Sequence, residues 1–156
     1  MSLKPLLEAG KFVITAEVGP LKGADTTEIS EVAQLLRGRV DAANVTDQQS
    51  SVMRLGSLAT CHLLKEEGLD PVFQVTCRDR NRLALQSDLL SAWALGIENV
   101  LAITGDLPSL GDHPQAKPVY DIDSVQLLWV IKRLNEAMIW LEMSLRASPI
   151  FSLGQW

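Results

Sequence analysis

The sequence predicts an α/β fold, namely the first four β/α units of a (β/α)8 barrel, on three observations. Four short apolar runs rich in β-branched residues recur along the chain. They are spaced about 30 residues apart, near the length of one βα unit. A helical pattern of apolar residues follows each run, so strand and helix alternate as a parallel sheet with right-handed crossovers requires.

The first run, Phe12-Val13-Ile14-Thr15-Ala16, is nearly continuous in apolarity, as a parallel strand covered on both faces should be. Thr26 to Leu36 then places Ile29, Val32, Leu35 and Leu36 at helical spacing, with Asp25 or Thr27 able to cap. The second run is Ala42-Ala43-Asn44-Val45-Thr46. The helical pattern after it spans Ser50 to Glu67 through Val52, Leu55, Leu58, Ala59, Leu63 and Leu64, with Gly68 at the C-cap. Val72-Phe73-Gln74-Val75-Thr76 forms the third strand, and Asp79 to Leu95 the third helix, closed by Gly96. Val100-Leu101-Ala102-Ile103-Thr104 is the fourth strand. The loop from Leu107 to Asp121 is rich in Pro, Gly and Asp and long for a βα connection, a length often associated with function. Asp123 to Leu134 makes the fourth helix.

The bulk numbers agree. A chain of 156 residues, 47% hydrophobic and 21% charged, suits one soluble domain with a real core. A formal charge of −5 argues against a nucleic-acid partner. There is no apolar run long enough for a membrane span, and Met1-Ser2-Leu3-Lys4-Pro5 does not open a secretory signal. Cys61 and Cys77 form neither a disulfide framework nor a zinc spacing, so they are expected as buried reduced thiols, with no metal site and a cytoplasmic location.

In parallel α/β folds the ligand site forms at the carboxyl ends of the strands. Each predicted strand ends in polar residues: Glu17; then Thr46, Asp47, Gln48 and Gln49; then Gln74, Thr76, Arg78 and Asp79; then Thr104, Gly105 and Asp106. Taken singly, each has a plain structural role available. Glu17 can be a solvated carboxylate, Thr46 or Asp47 a helix N-cap, Gln74 the partner of a buried neighbour, and Gly105-Asp106 a turn. Four such clusters on one rim point to a shared ligand site.

Four segments in order, Thr15-Ala16-Glu17-Val18-Gly19-Pro20, Asn44-Val45-Thr46, Val75-Thr76-Cys77-Arg78-Asp79 and Leu101-Ala102-Ile103-Thr104-Gly105-Asp106-Leu107-Pro108, resemble the methylenetetrahydrofolate reductase family. The resemblance runs from residue 12 to about 135. It implies FAD held at the C-terminal rim of the barrel and reduced by NAD(P)H. The flavin in turn reduces 5,10-methylenetetrahydrofolate to 5-methyltetrahydrofolate, in one-carbon and methionine metabolism. By the same resemblance Glu17 is the general acid that helps open the folate's five-membered ring, a task for a carboxyl at a partly apolar strand end. Asp106 is the acid near flavin and pterin, where an anion disfavours negative charge on reduced flavin and accepts from the pterin ring. Thr46, Asp47 and Gln49 match positions lining flavin or nicotinamide. Gln74, Thr104, Gly105 and Tyr120 match further FAD contacts. Gln74 stands where better-known bacterial members have histidine, and Thr104 where they have arginine. Val-Gly-Pro after Glu17 replaces their Phe-Phe-Pro, as in a divergent branch.

The resemblance stops at Glu136, dividing the chain into a family segment, 1–136, and a non-family tail, 137–156. The family continues with a Gly-x-Asp-Leu-x-Gly-Asn segment. Here the chain reads Ala137-Met138-Ile139-Trp140-Leu141 instead, and Met and Trp codons are fixed. Shifted by one base, the coding sequence of this tail restores Asp, Leu and Gly in the family order, so the tail reads as a frameshift product; a genuine amphipathic tail is the alternative. A half barrel would leave strand edges open at its first and fourth strands, inviting a homo-oligomer or a complementing chain. The other functional readings are a non-catalytic half-barrel subunit and a flavin-free folate or corrinoid methyltransferase barrel.

Overall fold

A computed structural model describes residues 3–139, 145 and 148–153. Four parallel strands form its centre: β1 (Thr15–Val18), β2 (Ala42–Val45), β3 (Pro71–Thr76) and β4 (Asn99–Ile103). They lie side by side in sequence order, as in an opened barrel, with Glu17 opposite Asn44, Asn44 opposite Val72, and Gln74 opposite Leu101. Helices α2 (Thr27–Leu36), α3 (Ser57–Glu66), α4 (Arg82–Ala94) and α5 (Ser124–Asn135) follow the strands. The predicted α/β architecture with four β/α units is therefore present.

The alternation of side chains divides the sheet. Val18, Val45, Phe73, Val75 and Val100 join Ile29, Leu64, Leu85, Leu89, Leu127 and Ile131 from the helices in the main core. Full burial of such a side chain is worth roughly 1.5–3 kcal/mol. A smaller cluster on the other side joins Ala42 and Val72 to Leu3 of a short first helix, α1 (Leu3–Glu8), which the sequence pattern did not reveal. Its placement is polar as well as apolar: Leu3 N–H donates to Asp70 Oδ2 at 3.0 Å, and Asn99 Nδ2 donates to the same oxygen.

Two predicted boundaries and one predicted edge change. The first strand begins at Thr15 rather than Phe12, leaving Phe12 91% exposed. The second helix begins at Ser57 because residues 49–51 form a separate tight turn. The expected open edge at strand four is partly covered: Ser152–Leu153, β5, pairs in parallel with β4 at Asn99 and Val100. Phe151 anchors this tail, exchanging backbone hydrogen bonds with the Asn135 amide and packing edge-on to Trp93 at 5.7 Å. The tail residues 140–144, 146–147 and 154–156 lie outside the described residues. Cys61 and Cys77 are both free and buried, as expected, and burial pushes the Cys77 thiol up to about 11. Among the described residues no helix is long and apolar enough to cross a membrane.

Candidate functional site

The rim is built from β2 outward. Thr46 and Asp47 leave the strand buried, and the chain then bends sharply. Gln48, Ser50 and Ser51 all hold left-handed backbone conformations, with φ of 49°, 56° and 58°. Three non-glycine residues in that region within four positions store strain, which accumulates where a loop is held for a purpose.

Asp47 is the anchor of this bend. Its fully buried carboxylate accepts from Thr76 N–H at 2.9 Å and from Arg80 Nη1 at 2.7 Å. Arg80 reaches on to Asp88 at 2.9 Å, whose carboxyl burial pushes above its ordinary value. Asp47 does not cap the following helix, which starts ten residues later. Its charge stitches β2 to β3 and α4.

The end of β4 is held more tightly still. Gly105 has φ of +93°, and a Cβ there would lie 2.1 Å from Thr76 Oγ1. The next carbonyl, that of Asp106, accepts from Ser51 Oγ at 3.0 Å, Tyr120 Oη at 3.0 Å and Arg78 Nη1 at 3.4 Å. Arg78 is buried, donating also to Ser51 Oγ at 2.8 Å and forming a two-pronged pair with Asp79. The long loop beyond β4 folds back over this assembly. Val119 N–H donates to the Arg78 carbonyl, Met53 N–H donates to Asp112, and Lys22 pairs with Asp112 at 2.7 Å. Hydrogen bonding from Lys22 holds the Asp112 carboxyl well below the usual carboxylate range.

Between these anchors lies a cleft of about 130 Å³. Glu17, Thr46, Asp47, Gln48, Gln49, Gln74, Arg78, Gly105 and Asp106, all in the rim clusters named from the sequence, line it. Gln49 Nε2 approaches Glu17 Oε1 at 3.5 Å. The Thr46 hydroxyl is buried without a hydrogen-bond partner. Thr104 and Tyr120 stand apart from the cleft lining. Thr104 Oγ1 bonds Ser124 at the start of α5, and Tyr120 Oη braces the Gly105 and Asp106 carbonyls from behind. Sequence reasoning passed over Ser51 and gave Arg78 no role of its own. The available signal was an arginine directly after a buried strand, beside an aspartate that keeps its charge paired.

A model of the methylenetetrahydrofolate reductase family matches residues 2–147 of the chain. The chain belongs to this family. A 5,10-methylenetetrahydrofolate reductase of Pectobacterium carotovorum subsp. carotovorum is 29% identical over 122 residues, covering 76% of this chain and 40% of that protein. The chain thus spans well under half of that relative.

Membership of the methylenetetrahydrofolate reductase family agrees with the geometry at the level of fold. The parallel strands in sequence order, each followed by a helix, are part of a (β/α)8 barrel. The polar cleft sits at the end of the sheet where barrels of this kind carry their ligands.

Proposed function

We propose that this chain contributes one wall of the site of a reductase that converts 5,10-methylenetetrahydrofolate to 5-methyltetrahydrofolate, using FAD and NAD(P)H. The observation that carries the proposal is a single cleft at the strand ends that gathers Glu17, Asp106, Gln74, Gln49 and an unpartnered Thr46 hydroxyl. The donor set fits a flat heterocycle edged with nitrogens and carbonyls. Two primary amides offer both donors and acceptors, and a buried orphan hydroxyl gains most from a ligand partner. The cleft is smaller than the roughly 300–1,000 Å³ of most small-molecule pockets, so it accounts for part of a flavin site.

FAD, when bound, supplies the redox chemistry between NAD(P)H and the folate. The chain's own residues have other tasks. Thr46 and Gln74 bind ring edges, Gln49 steadies the Glu17 carboxyl, and Glu17 gives a proton to the folate nitrogen as its ring opens. Asp106 accepts a hydrogen bond from the pterin and sets a negative charge beside the redox centre.

The test is a titration of the purified chain with FAD, followed by flavin fluorescence. Saturable binding, weak because residues 1–156 supply one wall of the site, and weakened further by Thr46→Val and Gln74→Leu, is the expected result. Binding of 5-methyltetrahydrofolate with no response to FAD would overturn it in favour of a methyltransferase barrel.

We also propose that residues 1–136 carry the family segment and that the tail from Ala137 is out of frame, although the family match itself runs on to residue 147. The end of α5 supports this. Ala137 N–H donates to the Leu134 carbonyl and Met138 N–H to that of Arg133, with Ala137 at φ of 59°. The ends of α3 and α4 close with the same pair of bonds, but there Gly68 and Gly96 hold the left-handed position. Alanine in that position costs about 1 kcal/mol relative to glycine. A glycine codon that lost one base explains the exception. Sequencing the gene across codons 136 and 137 decides the matter; an intact locus with no second open frame beyond them refutes it.

A further inference from the structure

The bonds at the end of β4 converge on one atom, the carbonyl oxygen of Asp106, and not on its carboxylate. Ser51 comes from the bend after β2, Arg78 from the end of β3, and Tyr120 from the loop beyond β4. Ser51 Oγ also reaches the Leu107 carbonyl at 3.0 Å, and Tyr120 Oη the Gly105 carbonyl at 3.1 Å. Both carbonyls flanking the Asp106 peptide units are therefore braced as well. Gly111 closes the arrangement from the far side, where a Cβ would meet the Ser51 carbonyl at 1.8 Å. Three segments from different units of the sheet thus fix the backbone that carries Asp106, while its side chain is left exposed on the cleft.

We propose that Ser51 and Arg78 are positioning residues that aim the Asp106 carboxylate into the cleft. The chemistry favours these two residue types. A serine hydroxyl can accept from the guanidinium while donating to a carbonyl, so it relays the position of Arg78 to the β4 end. The guanidinium is a rigid fork whose donors reach Ser51, the Asp106 carbonyl and the Gln48 carbonyl at once, which a lysine ammonium cannot do. The left-handed φ of Ser51 is the strained conformation that lets its hydroxyl point at β4. Arg78 borders the cleft and also a neighbouring hollow lined by Met53, Pro108 and His113. Its loss would loosen the Gln48 side and the Asp106 side together.

The proposal rests on the reading of Asp106 as an acid facing flavin and folate, and its test separates the two. Isotope-labelled full chain is compared with Ser51→Gly and Arg78→Lys. Glycine removes the hydroxyl at a position where φ is free to it, and lysine keeps the charge, so both variants should fold. The Hα–Hβ scalar couplings of Asp106 report whether its side chain keeps one rotamer. The expected result is one rotamer in the parent and averaging in both variants, with unchanged couplings at Asp121 as an internal control. Identical Asp106 couplings in parent and variants overturn the proposal whether or not FAD binds. FAD titration adds the functional arm. If the parent binds FAD, both variants should bind roughly tenfold more weakly, the loss of one charge-assisted hydrogen bond. Equal affinity overturns the link between the held carboxylate and the flavin. Absence of FAD binding by the parent refutes the reading of the site and leaves the couplings to decide the positioning.

Discussion

The two sides of the cleft are built to different standards. On the side of β2, β3 and β4, Asp47, Thr76, Arg78 and Ser51 are buried and each carries two or more specific hydrogen bonds. On the side of β1, Glu17 is exposed and has one long contact with Gln49, at 3.5 Å. Beyond it Phe12 and Ile14 stand in solvent at the sheet edge. The difference follows from topology. A strand with neighbours on both sides receives loops from both, and those loops can lock its end. A strand at an edge receives them from one side, and β1 is paired only with β2. On the tightly held side the backbone under Asp106 is braced from three segments, while on the open side Glu17 has a single side-chain contact.

The sharpest way to break the held side is at Asp47. Asp47→Ala leaves Arg80 with Asp88 and the Thr76 carbonyl, and Thr76 N–H without its acceptor. Breaking a buried pair of this kind costs about 3 kcal/mol or more. A fall of that size in unfolding free energy is expected by urea denaturation, with a smaller one for Asp47→Asn, which keeps an acceptor for Thr76. A loss for Asp47→Ala no larger than that of an exposed substitution would show that the two sides do not differ in strength.

This contrast also explains what the sequence revealed. The β/α alternation was legible because each buried strand is a run of β-branched residues and each helix repeats its apolar face. The rim clusters were legible for the reason that polar residues ending apolar strands are conspicuous. Which of them face a ligand was not. Asp47 and Gln49 are two residues apart in one polar run, yet Asp47 is spent on Arg80 while Gln49 looks into the cleft. Thr104 and Asp106 differ in the same way, with Thr104 turned to α5. The first choice depends on left-handed turns at Gln48, Ser50 and Ser51, which carry no glycine to announce them, and the second on Gly105 at φ of 93°. Helix α1 was missed because six residues are too few for a periodic signal.

A middling effect is expected at Asp121, which ties the loop beyond β4 to the start of α4. Its carboxylate accepts from Arg82 N–H at 2.9 Å and from the Arg82 guanidinium at 2.7 Å. Hydrogen bonding from Arg82 lowers its pKa to about 2. The folded value is depressed, so this contribution is present above the unfolded value near 4 and is lost as pH falls from there towards 2. Stability measured against pH should therefore drop less steeply across that interval in Asp121→Asn than in the parent. Identical acid limbs would mean that the clamp does not form in solution.

The smallest effect on stability belongs to Glu17, and there it is most informative. Exposed groups away from buried networks usually change stability by less than about 0.5 kcal/mol, so Glu17→Gln should unfold with the parent in urea. If Glu17 is the proton donor, the same substitution should abolish folate reduction wherever the site is completed, because glutamine retains the shape and the contact with Gln49 but has no acidic proton to give. A large stability loss would place Glu17 among the structural anchors with Asp47, and the two sides of the cleft would no longer be distinct. A silent substitution in both measurements would remove the acid from the β1 side altogether. Stability retained and turnover lost is the pattern that a braced wall facing an exposed acid requires.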